Sequence, residues 1–151
     1  MSHDRLTPDA LRDTLEGAGW RCTPQREAVY GYLCRDGQHP TVEEVCRGVR
    51  DDLPSISLAT VYKALEALEA AGLATKLAAD GTGPARYDAR ADHHYHVRCL
   101  KTGRVEDLPT AYDPDLVAKL DPDLAARLDA MGFRLRGYRL ELVGDFDEPA
   151  R

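Results

Sequence analysis

No stretch of this 151-residue chain approaches the ~20 consecutive apolar residues of a membrane-spanning helix, and the opening Met1-Ser2-His3-Asp4-Arg5 lacks the apolar core of a secretion signal. The sequence predicts a cytoplasmic protein with no place in a membrane. Positive charge is not in surplus either: the net charge is -6 and the pI about 5.3. That excludes a global basic footprint, so any nucleic-acid binding has to come from a local patch or depend on a bound cation. The four cysteines, Cys22, Cys34, Cys46 and Cys99, include no C-x-x-C pair. This argues against a thiolate zinc site or a dithiol redox motif. In a reducing compartment they read as small buried apolar residues, with an approach of Cys34 to Cys46 left open.

Metal donors are what the chain does have. Asp92-His93-His94-Tyr95-His96-Val97-Arg98-Cys99 holds three of the five histidines and lies downstream of a fourth, His39. Alternate residues of an extended strand point to one face, so His94 and His96 can chelate a single ion. Imidazole suits mid-to-late divalent metals, and the carboxylates of Asp88, Glu106 and Asp107 are hard donors that shift a site toward iron or manganese. His93 reads as solvated or as a partner of the ligands, and His3 as disordered.

The chain is long enough for one ordinary domain or two small ones, and at 43% apolar it can bury a core. Thr7-Pro8-Asp9 opens a helix running to about Gly17 or Gly19, and Thr23-Pro24 opens a second with Ala28, Val29, Tyr32 and Leu33 as its buried stripe. His39-Pro40-Thr41 leads into a third, capped by Thr41, with Val42, Val45 and Val49 inward. Ser57 starts a fourth, with Leu58, Val61, Leu65 and Leu68 inward and Ser57, Ala59, Thr60, Tyr62 and Lys63 on the other face. Gly72 ends it. Strand-like runs from Leu73 to Leu77 and Ala85 to Asp88 follow, around the turn-rich Ala79 to Pro84. Three helices, a polar-faced fourth and a hairpin make a winged helix-turn-helix. Its fourth helix suits a major groove, where hydroxyls and a lysine meet phosphates, and a small residue and an aromatic ring meet thymine methyls.

In the second half, His94–Leu100 and Arg104–Leu108 alternate around Lys101-Thr102-Gly103, which suggests a hairpin. Asp113-Pro114 and Asp121-Pro122 each cap a helical start, with Leu124, Ala125, Leu128 and Met131 as the stripe of the second. Phe133 to Val143 reads as a long strand whose apolar parity shifts at Gly137, the mark of a bulge. A three-stranded sheet with a helix is too small to close its own core, so pairing with a second copy is the natural remedy. The fold class is α+β, with a winged-helix DNA-binding domain over 1–88, a hinge at 89–92 and a small α/β dimerisation and metal-sensing domain over 93–151.

Together these segments resemble the ferric uptake regulator family of dimeric, metal-responsive transcriptional repressors. The matching motifs are Gly19-Trp20-Arg21-Cys22-Thr23-Pro24-Gln25-Arg26, His39-Pro40-Thr41, Ser57–Leu65, Ala85-Arg86-Tyr87-Asp88, His93-His94-Tyr95-His96 and Tyr138-Arg139-Leu140-Glu141, in family order and spacing across nearly the whole chain. The resemblance implies a regulatory metal site filled from both domains by His39, Asp88, His94, His96 and Asp107. It implies DNA contacts from Arg21, Ser57, Ala59, Thr60, Tyr62 and Lys63, and a homodimer on double-stranded DNA with a palindromic AT-rich operator. No membrane and no small-molecule substrate are implied.

The donor set has three nitrogens, two carboxylates and no thiolate, which suits Mn(II) or Fe(II), with Zn(II) able to substitute in vitro. The chain departs from the family pattern in its structural zinc. Thr102 stands where the second cysteine of a C-x-x-C pair begun by Cys99 is expected, and Gly144-Asp145-Phe146-Asp147 has no cysteine. No structural zinc is therefore expected, and Cys99 reads as a buried remnant. Tyr95 and the absence of any histidine after His96 leave one metal site per subunit. Asp107, where many iron sensors carry glutamate, resembles the peroxide-sensing branch, in which iron-dependent chemistry oxidises a ligand histidine. Glu106 alternates to the opposite face. The reading is thus a metal-uptake regulator, with a peroxide sensor as the alternative. A mononuclear iron enzyme is the rival of another class, because two histidines and a carboxylate also hold catalytic iron. A metal-storage or structural dimer is the third possibility.

Overall fold

Four hydroxyl side chains decide where the first four helices begin. Thr7, Thr23, Thr41 and Ser57 each accept a hydrogen bond from the backbone amide three residues on, ahead of α1 (Pro8–Gly17), α2 (Pro24–Leu33), α3 (Val42–Val49) and α4 (Leu58–Ala70). At Thr41 the cap is reciprocal, since the Glu44 carboxylate accepts from the Thr41 amide at 3.2 Å while the Thr41 hydroxyl accepts from the Glu44 amide. The computed structural model describes residues 5–35, 39–77, 84–89 and 93–147. The expected turn from Ala79 to Gly83, the hinge residues Arg90 to Asp92 and His3 lie outside them.

The helices meet in one core built on Leu15, Val29, Val45, Val61, Leu65 and Leu68, with α2 packed against both α3 and α4. Three apolar positions depart from the expected stripes, Ala28 of α2 being only half-buried. Leu58 is 38% exposed, because the bundle covers α4 only from Val61 onward. Tyr32 is half-buried and Tyr30 is buried instead, its hydroxyl accepting from the Leu6 amide. The Tyr32 ring lies against Gly48 of α3, where a Cβ would stand only 2.0 Å from it.

The chain leaves the bundle as β1 (Thr75–Leu77) and β2 (Arg86–Asp88), an antiparallel pair with Thr75 opposite Asp88. The second strand is also tied to the segment ahead of α3: Arg86 bridges Thr41, and the Tyr87 amide donates to the Pro40 carbonyl at 3.0 Å. The second sheet has the order β4-β3-β5, with β3 (His96–Cys99) between β4 (Val105–Asp107) and β5 (Glu141–Gly144). Antiparallel register sets His96 opposite Asp107, and parallel register sets it beside Glu141.

The long strand expected over 133–143 shortens to β5. Residues 133–140 have no ladder partner among the described residues, so pairing exists only beside β3, and Gly137 forms no bulge. The expected stripe of the last helix is also corrected. Neither α5 (Leu116–Leu120) nor α6 (Leu124–Ala130) buries a residue, and Met131 is 76% exposed, because nothing among the described residues covers that face. Asp113 and Asp121 act one step before the helices, accepting from the amides of Asp115 and Asp123 in Asx turns, while the N-cap residues Asp115 and Asp123 make no side-chain cap.

Replacing the Thr41 cap tests how firmly α3 is started. Thr41→Ala is expected to lower stability by about 0.5–2 kcal/mol, read as a lower urea midpoint with an unchanged slope.

Candidate metal centre

Five donors from four chain segments converge where the two sheets approach each other. His39 stands just ahead of α3 and is 4% exposed, and Asp88 ends β2 at 5%. His94 and His96 come from β3 and the residues before it, and Asp107 ends β4. One potential ligand atom from each lies within 4.8 Å of all the others. The local reasons are simple. Alternation turns His94 and His96 to one face, the β3–β4 register sets Asp107 opposite His96, and the Tyr87–Pro40 hydrogen bond holds His39 next to Asp88.

Asp88 Oδ2 lies 3.3 Å from His39 Nε2, 2.7 Å from His94 Nε2 and 3.1 Å from His96 Nε2. Asp107 Oδ1 lies 2.8, 3.2 and 3.7 Å from the same three nitrogens. Two donors each about 2.1 Å from one ion on perpendicular bonds stand about 3 Å apart, so these separations are those of neighbouring ligands of a single cation. Hydrogen bonding alone accounts for them poorly. A neutral imidazole has one N–H, and His39 makes no well-directed hydrogen bond from either ring nitrogen among the described residues, although both are buried. Two carboxylates this close also repel by on the order of 3 kcal/mol at an effective dielectric constant of about 20. A divalent cation removes that repulsion and gives His39 Nε2 a partner, so the residues present fit a metal ion.

In the metal-free protein, burial pushes the His39 imidazole pKa down, but the adjacent carboxylates of Asp88 and Asp107 outweigh burial and leave it raised. Protons therefore compete with metal for this ligand.

The other candidates separate cleanly. Glu106 is outside the cluster and pairs with Arg104. His93 is exposed and stacks on Tyr112, with ring centroids 5.0 Å apart. All four cysteines are free thiols; Cys46 and Cys99 are buried and Cys22 and Cys34 half-buried. On α4 the hydroxyls of Ser57 and Thr60 are 2.8 Å apart, and Ala59, Tyr62 and Lys63 are exposed beside them, as is Arg21 ahead of α2. Sequence reasoning missed a clamp on the back of β3. The Tyr95 hydroxyl accepts from the Asp113 amide at 2.8 Å and meets the Tyr138 hydroxyl at 2.5 Å, while Tyr138 donates to the Asp113 carbonyl. This ring of hydrogen bonds fixes the strand that carries His94 and His96. The available signal was Tyr95 alternating between His94 and His96, which carries no hydrogen-bond information by itself.

Comparison with known proteins adds to this geometry. The model of the Ferric uptake regulator family matches residues 17–142. The peroxide-responsive repressor PerR of Staphylococcus aureus is 36% identical over 95 residues, a match spanning 63% of this chain and 64% of that protein. Among solved structures, the ferric uptake regulator of Vibrio cholerae superposes with a TM-score of 0.69 at 27% identity, over 90% of this chain and 99% of that one. A zinc-bound manganese uptake regulator superposes with a TM-score of 0.62 at 33% identity, over 89% of this chain and 97% of that one.

Removing donors should separate ligands from neighbours. Loss of an outer-shell partner typically costs 10–100-fold in metal affinity, so His39→Ala is expected to cost more than about 100-fold, and His93→Ala less than about twofold. Isothermal titration with Mn(II) reads both. The same titration should weaken as pH falls through the raised His39 pKa, because the metal needs the neutral ring.

Proposed function

This chain belongs to the ferric uptake regulator family, and from that premise we propose that it is a homodimeric, metal-dependent DNA-binding repressor that senses Mn(II) or Fe(II) and controls metal-uptake genes. The observation that carries the reading is the composition of the metal cluster: His39 and Asp88 come from the helical half, and His94, His96 and Asp107 from the second sheet. In this reading 1–88 bind DNA, 89–92 form the hinge, and 93–151 pair two copies and complete the sensor.

A bound divalent cation would supply charge neutralisation and a fixed coordination frame. The rest is done by the chain. Without a cation, Asp88 and Asp107 repel, and the two halves are free to change their angle about the hinge. With the carboxylates neutralised, His39 and Asp88 are drawn to the β3 histidines and the angle is set. The face of α4 that carries Ser57, Ala59, Thr60, Tyr62 and Lys63 then takes a fixed place relative to its copy in a dimer, with Arg21 beside it for phosphate contact. Paired helices read an AT-rich palindrome only when they stand about one DNA turn, ~34 Å, or a multiple apart. Fixing the angle therefore raises operator affinity without adding a contact.

Three nitrogens, two carboxylates and no thiolate favour five- or six-coordinate Mn(II) or Fe(II), with Zn(II) a substitute in vitro. No structural zinc is assigned, since Cys99 has no cysteine at Thr102 or in 144–147 to share one. Dimer stability then rests on the sheet and on apolar surface; Leu120, Met131, Phe133, Leu135, Leu142 and Val143 are all exposed in the single chain. No helix among the described residues is long and apolar enough to cross a membrane. An enzyme reading has less support, because the relatives compared are regulators and the candidate donors come from two halves of the chain.

One observation favours a second reading. Asp107 holds the carboxylate position, and a peroxide repressor shares 36% identity over 95 residues. Peroxide sensing would appear as an iron-dependent mass gain of one oxygen on a peptide containing His39, His94 or His96.

The test of the main reading is binding of metal-stripped protein to a palindromic AT-rich DNA library, with Mn(II), anaerobic Fe(II) or Zn(II) added separately. Binding is expected only with metal, to be lost in His94→Ala, and to fall at least about tenfold in Tyr62→Ala with metal affinity unchanged. Equal binding with and without metal would remove the switch.

A further inference from the structure

The five donors hang on backbone, and the backbone of one of them is gripped by a side chain that is not a donor. Arg86 Nη1 donates to the His39 carbonyl oxygen at 2.9 Å and lies 3.8 Å from Glu44 Oε2. That same Glu44 oxygen accepts from the Thr41 amide at 3.2 Å, closing the cap of α3. Around this contact the β2 backbone holds the same segment, through the Arg86–Thr41 bridge and the Tyr87–Pro40 hydrogen bond. Alternation puts Arg86 and Asp88 on one face of β2. One short strand therefore carries both a donor and the cation that holds its neighbouring donor's main chain.

We propose that Arg86 is a positioning residue of the metal centre, which aims the His39 imidazole by fixing the carbonyl of that residue against β2. The proposal rests on the metal-regulator reading above and concerns how its most buried histidine is kept in place.

The need for such a device is visible in His39 itself. Neither ring nitrogen has a well-directed hydrogen bond among the described residues, so no acceptor among them orients the ring. Orientation has to come from packing and from the backbone. A carbonyl held at 2.9 Å by a charged donor restricts the His39 backbone and with it the direction of the Cα–Cβ bond. Arginine suits the task because its long, always-charged guanidinium delivers Nη1 to the carbonyl while lying near the Glu44 carboxylate. The ion pair with Glu44 is a minor part. At 3.8 Å, with the Glu44 side chain 44% exposed, it contributes little by itself. The hydrogen bond to His39 carries the effect.

The experiment is a double-mutant cycle of Mn(II) affinity on the full chain, with Arg86→Ala, His39→Ala and the pair. Amide exchange at Tyr87 in the metal-free protein is measured alongside. Arg86→Ala is expected to weaken Mn(II) at least about tenfold, in the range of outer-shell losses. The double variant should be no weaker than His39→Ala, because the arginine acts only through that ligand. Arg86→Lys should recover part of the loss, and Glu44→Gln should cost less than threefold. Tyr87 amide exchange should speed up in Arg86→Ala while amides of Val61 and Leu65 in the core do not change. A purely structural role predicts instead that the two losses add and that core amides exchange faster as well. Either that result or an Arg86→Ala affinity within twofold of the parent overturns the proposal. If the parent chain binds no Mn(II), Fe(II) or Zn(II), it is the metal-regulator reading that fails, and Tyr87 exchange still decides whether Arg86 clamps the segment. Should Arg86→Ala fail to fold, Arg86→Lys and Arg86→Gln carry the same comparison.

Discussion

Asp88 and Asp107 present oxygens to one small, largely buried space shared with three imidazoles, and the rest of the chain is arranged so that this meeting occurs. Two carboxylates do not stay together in a low-dielectric setting without a positive partner. The raised His39 pKa is one partial answer, since a protonated imidazole neutralises part of the charge. A divalent cation is a fuller one. It satisfies both carboxylates at once and takes the lone pairs of nitrogens that otherwise point at the same oxygens. Proton and metal would thus compete for one site, and under the proposed function the occupant would set how firmly the two halves are joined.

The delivery of the donors is built from ordinary local rules. A threonine cap starts α3 immediately after His39-Pro40, so the histidine is held at a helix boundary and not on a free loop. The β2 strand then lies along that boundary and ends in Asp88. On the other side, strand alternation supplies His94 and His96, and antiparallel register supplies Asp107. The tyrosine clamp of Tyr95, Tyr138 and Asp113 keeps β3 from sliding or rolling, with no tyrosine touching the ion site. In the proposed reading, the freedom that a metal would remove lies between the two halves.

The helical half was legible in the sequence because each helix carries its own start signal and a full apolar stripe; the caps at Thr7, Thr23, Thr41 and Ser57 and the buried Val42, Val45 and Val49 stand where patterning puts them. The errors fall where burial depends on something beyond local period. Leu58 repeats with the core residues of α4 but sits a turn before the bundle begins. Phe133 to Leu140 looks like strand because apolar residues recur at alternate positions, yet a strand exists only where a neighbour offers hydrogen bonds, and β3 first reaches this segment at the Leu140 carbonyl, which accepts from the His96 amide. In the site, His94 and His96 could be paired from alternation alone. His39, Asp88 and Asp107 could be joined to them only through family resemblance, because a contact between residues 39, 88 and 107 is a matter of tertiary placement that no spacing encodes. Arg86 was visible as part of a motif, but its grip on the His39 carbonyl involves a backbone atom, and sequence patterns are silent about those.

The division of donors also constrains how such a sensor can be tuned. The helical half supplies two of the five candidate ligands and the sheet half three, and neither set alone matches a five- or six-coordinate ion. Measured affinity therefore contains the intrinsic strength of the assembled site and the fraction of molecules in which the halves already face each other; a fraction of one in ten weakens the apparent affinity tenfold. If metal and DNA both favour one angle, as proposed, linkage requires that DNA tighten metal binding by the same factor that metal tightens DNA. In that reading, substitutions at the hinge or in the segment from His39 to Thr41 shift the metal threshold without changing a ligand, by moving that fraction. Substitutions in the donor set change the intrinsic strength and the choice of metal together. A regulator built this way can keep its metal chemistry fixed by five side chains while its set point drifts through residues that never touch the ion.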